Sequence, residues 1–98
     1  MTDLEISKAL ALAIGWLESR VSDRTEKEIL ITEWPRIGTC IVFDYRDWNV
    51  IAPIAEKFDA FPIHDTDTTW FASLPGWYGK RADTPQKAIA LAVIGSVK

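Results

Sequence analysis

The first residues that could do chemistry are a histidine and its neighbouring acids. His64 is the only histidine, it precedes Asp65 and Asp67, and Asp59 lies just upstream. An imidazole and two or three carboxylates can ligate a divalent ion. A single histidine excludes a His-rich zinc site. Asp and Thr also bond to their own backbone in tight turns, and the run Asp65-Thr66-Asp67 is expected to be such a turn. Cys40, the only cysteine, could act as a nucleophile if His64 were placed as its base. Its neighbours Thr39 and Ile41 read as strand, where a cysteine serves as a small hydrophobe. Asp44 and Asp47 lie one helical turn apart and could share general acid–base work. Both are also good helix N-caps, and capping is the preferred role. No catalytic, metal or cofactor residue is assigned.

The segment Gly76-Trp77-Tyr78-Gly79-Lys80-Arg81 places two aromatics and two cations just before a helix start. It lacks the spacing and the following Ser/Thr of a phosphate-binding P-loop. An aromatic–basic loop can still hold an anion, stack on a base or anchor a protein contact. Trp77, Tyr78, Lys80 and Arg81, with Asp65 and Asp67 of the acidic turn, are therefore the candidate partner-binding residues. The alternative for Trp77 and Tyr78 is that they fold back on the core.

These residues belong to a chain of 98 residues, long enough for one small domain. Hydrophobic residues make up 48% and charged residues 26%, which excludes a disordered chain. The net charge of −3 argues against a general nucleic-acid binder. One cysteine allows no intrachain disulfide, and the first residues, Met-Thr-Asp-Leu-Glu, are acidic where a secretory signal is basic. No apolar run reaches the length of a membrane span. The expectation is a cytoplasmic protein.

Thr2 and Glu5 have capping-box spacing ahead of a helix over residues 3–17. Residues 18–27 are polar and read as a loop or a frayed last turn of that helix. Residues 28–34 and 39–43 are rich in β-formers and read as one hairpin. A second helix, capped by Asp44 or Asp47, is expected to reach about Phe58, bent at Pro53 if it starts near Trp48, with Trp48, Ile51, Ala52, Ala55 and Phe58 on one face. Residues 61–64 and 69–73 form a second hairpin, and residues 75–83 a loop. Thr84 and Pro85 then open a last helix as cap and first residue. That helix is apolar nearly all round, which predicts heavy burial or a partner, a second copy of this chain among the candidates. Trp16, Trp48 and Trp70 are expected in the core, and Trp34 half exposed. The order is α-ββ-α-ββ-α. It predicts an α+β layered sandwich with one antiparallel sheet of about four strands.

Four segments in this order resemble the phage alpha-beta-alpha sandwich domain family of small phage and prophage proteins. They are Ile14-Gly15-Trp16, Phe43-Asp44-Tyr45-Arg46-Asp47-Trp48 with Pro53 and Glu56-Lys57-Phe58, Trp70-Phe71-Ala72, and the Ala82–Ile89 run. The chain departs from the family pattern at Tyr45-Arg46-Asp47 and in its long 76–81 loop. The resemblance implies a phage origin and a fold, and no chemistry. The functional expectation is a non-enzymatic binding protein that acts by protein–protein contact on a host or phage protein. Inhibition of a host defence complex, of the anti-CRISPR kind, falls in that class. The alternative is a small-molecule or nucleotide binder that uses residues 76–81.

Overall fold

A computed structural model describes residues 2–16, 18–25, 28–32, 40–64, 66–75 and 79–96. By internal contact the chain divides into two compact units, Met1–Asp44 and Tyr45–Lys98.

The first unit begins with α1, Asp3–Ala13. Its start is the capping box expected from Thr2 and Glu5. The Thr2 hydroxyl accepts from the Glu5 N–H at 3.2 Å, and the Glu5 carboxylate accepts from the Thr2 N–H at 3.1 Å. Its end comes four residues earlier than the apolar spacing suggests. Gly15 takes φ +109°. This lets the N–H groups of Gly15 and Trp16 turn back to the carbonyls of Leu12 and Ala11, each at 3.1 Å. The paired bonds are those of a Schellman stop, and glycine supplies the left-handed residue. Ile6, Ser7, Leu10 and Ala11 recur at helical spacing and are buried.

A single 3-10 turn, Glu18–Arg20, leads into an antiparallel sheet of order β1-β2-β3: Val21–Asp23, Ile29–Thr32 and Cys40–Phe43. The α1 helix packs against β1 and β2. On β2, Ile29 and Ile31 share one face and both are fully buried. The register sets Phe43 beside Ile29 and Val21 beside Ile31. Each such aliphatic side chain contributes roughly 1.5–3 kcal/mol on burial. The β1–β2 turn is closed by Thr25, whose hydroxyl accepts from the Glu28 N–H at 3.0 Å.

The second unit holds α2, Trp48–Phe58, a second antiparallel sheet of order β4-β5-β6, and α3, Pro85–Ser96. The strands are Pro62–His64, Trp70–Ser73 and Gly79–Ala82. Asp47 caps α2, its carboxylate accepting from the Asn49 N–H at 2.9 Å. Pro53 lies inside α2 on its exposed side, so the backbone bond it removes would have ended at Asn49, itself exposed to water. Asp59 ends α2 at φ 55°. Thr84 caps α3, accepting from the Lys87 N–H at 3.2 Å, and Pro85 takes the first helical position. The α3 helix packs on all three strands of its sheet and on α2. Every residue from Pro85 to Ser96 is buried or half-buried.

The fold is α+β with three α-helices and two three-stranded antiparallel sheets among the described residues. The expected single sheet of about four strands, and the order α-ββ-α-ββ-α, are corrected by β1 and β6. Both had the composition of loops. Val21-Ser22-Asp23 and Gly79-Lys80-Arg81-Ala82 are edge strands, stabilised by pairing on one side and left polar on the other. Trp48 is a second correction. It is 48% exposed, because α2 buries Ile51, Ile54 and Ala55 and so turns Trp48 and Ala52 to solvent.

Two positive-φ positions should respond to substitution with opposite signs in urea denaturation. Gly15→Ala forces a side chain into a left-handed conformation and should destabilise by about 1–2 kcal/mol. Asp59→Gly removes that strain and should stabilise by up to about 1 kcal/mol, part of it lost to the looser unfolded chain. Glu5 offers a pH test. The Thr2 N–H, and then the Thr2 hydroxyl, hold its carboxyl below the ordinary glutamate value. Its stabilising effect is therefore present above the glutamate range and lost as pH falls through the lowered value. The thermal stability difference between wild type and Glu5→Gln should be constant near neutrality and shrink in acid.

Candidate functional site

The second sheet has two unlike faces, and the register assigns them. Ala72 is fully buried, and its pairing partners Pro62 and Lys80 lie on the same side. This is the side against which α3 packs. The other side carries the cross-strand row Ile63, Phe71 and Arg81, with Ile63 paired to Phe71 and Phe71 to Arg81.

Within this row Phe71 is fixed by a glycine. A Cβ built on Gly79 would overlap Cζ of Phe71 and stand 2.6 Å from the Ala72 carbonyl oxygen. The aromatic ring occupies the space that any other residue would fill, so the glycine is required by close approach. The Arg81 guanidinium lies 5.4 Å from the centre of the same ring, within cation–π range. Ile63 is 61% exposed, and Phe61, just before β4, is 56% exposed. They are the two most exposed large apolar side chains among the described residues.

The sheet edges are protected against strand addition. β4 contains Pro62, which has no N–H to donate, and β6 presents Lys80 and Arg81. A partner meeting this sheet therefore meets a face.

Lys80 and Arg81 both lie on β6 and are exposed. Consecutive strand residues point to opposite faces, so the two cations do not converge on one ligand. Asp67 is exposed at the tip of the β4–β5 hairpin. Thr66 and Thr69 close that hairpin: each N–H donates to the other's carbonyl, at 3.3 and 3.4 Å, and their hydroxyls meet at 2.6 Å. Asp65, Trp77 and Tyr78 lie outside the described residues, as do Trp34 and Pro35. His64 is exposed and stacks against its cross-strand neighbour Trp70, ring centres 4.7 Å apart at 39°. Trp16 and Trp70 are half-buried. Cys40 falls in β3, its side chain outside the described set. Among the described residues no three His, Cys, Asp or Glu side chains group to hold a metal, and no helix is long and apolar enough to cross a membrane.

The apolar row was missed in the sequence, although a signal was present. The segments Phe61-Pro62-Ile63 and Trp70-Phe71-Ala72 are apolar at consecutive positions. A strand with one wetted face alternates instead.

Gly79→Ala should displace the Phe71 ring and destabilise the chain by about 1–3 kcal/mol, an overpacking cost. The Arg81→Ala variant, which leaves that space open, should fall within about 1 kcal/mol of wild type in the same denaturation series.

The chain matches no protein-family model, no curated protein and no solved structure.

Proposed function

We propose that the chain is a non-enzymatic binding protein that docks on another protein through the outer face of β4–β6. The observation that carries this reading is the exposure of Phe61 and Ile63 beside the Phe71–Arg81 pair. Exposed apolar groups gathered at one place favour association, and aromatic and arginine side chains dominate binding energy at protein interfaces.

Charge supports a protein partner over a nucleic acid. Residues 45–98 carry six acidic and six basic side chains. A neutral unit has no long-range pull on a polyanion. The size of the face sets the kind of contact. Three strands of three to four residues give a face about 10 Å across and about 13 Å long. That is far below the roughly 800 Å² per partner of a stable interface. The face therefore anchors one aliphatic or aromatic side chain of the partner, and surrounding contacts supply the rest. The phage resemblance adds the partner's source, a host or phage protein in the host cytoplasm, with a host defence complex as one target.

A photo-crosslinking residue at position 63, and separately at exposed Glu56 of α2, tests this in host extract. The expected result is one discrete adduct from position 63 and none from position 56. The purified adduct partner should then bind Phe61→Ser/Ile63→Ser at least tenfold more weakly, while that variant melts within a few degrees of wild type. Adducts from both positions alike, or undiminished binding by the double variant, would overturn the assignment.

A further inference from the structure

We draw no further inference here: the strongest candidate outside the β4–β6 face, the paired Leu30 and Val42 on the outer side of the first sheet beside its β3 edge, carries nothing because nothing in the structure shows what covers it.

Discussion

The second unit depends on the burial of α3. Ala88, Ile89, Ala90, Ala92, Val93 and Ile94 are all buried, and at about 100° per residue they spread over roughly two thirds of the helix circumference. One sheet face can cover only one side of such a helix. The chain meets this demand by packing α3 on β4, β5 and β6 and also on α2. The small residues Ala88, Ala90 and Ala92 permit close approach. Ile89 and Val93 are fully buried, and losing either would leave a cavity. The inner face of the sheet is thus committed to α3. Among the described residues α3 is the helix of this unit that packs extensively on the sheet, and on the other face Ile63 stays in solvent.

Local rules dominate where the helices begin. Thr2, Asp47 and Thr84 each satisfy an N–H that the first helical turn leaves without a partner. A cap works over two or three residues, so the starts at Thr2 and Thr84 were legible from residue type alone, whereas residue type left the start of α2 open between Asp44 and Asp47. The end of α1 was less legible. In the sequence apolar spacing continues through Ile14 to Leu17, and the single backbone angle at Gly15 overrides it. Pro53 shows the reverse case. A helix breaker is tolerated because it sits on the wetted side of a helix whose other side is buried by Ile51, Ile54 and Ala55.

The edge strands were illegible for a physical reason. β1 and β6 have no apolar periodicity because an edge strand needs only one neighbour and benefits from charge on its open side. Lys80 and Arg81, read as part of a loop, are strand residues whose charges blunt an edge. The candidate surface was legible only in part. Lys80, Arg81 and Asp67 are exposed, as a contact residue must be. Lys80 and Arg81 point to opposite faces, however, and Arg81 alone joins the apolar row. Aromatic and basic residue types are densest at residues 76–81. The structure draws attention to Phe61 and Ile63, which composition assigns to a core. Which apolar side chain stays outside is decided by how many sheet faces the helices can cover, and that is a property of the assembled unit.

Solvent accessibility of individual methyl groups tests this division of the second sheet most directly. In solution NMR with a water-soluble paramagnetic probe, the Ile63 methyls should broaden strongly while those of Ile89 and Val93 remain sharp. Ile63 methyls as well protected as those of Ile89 would contradict the account, because the outer face of β4–β6 would then be covered and unavailable to a partner.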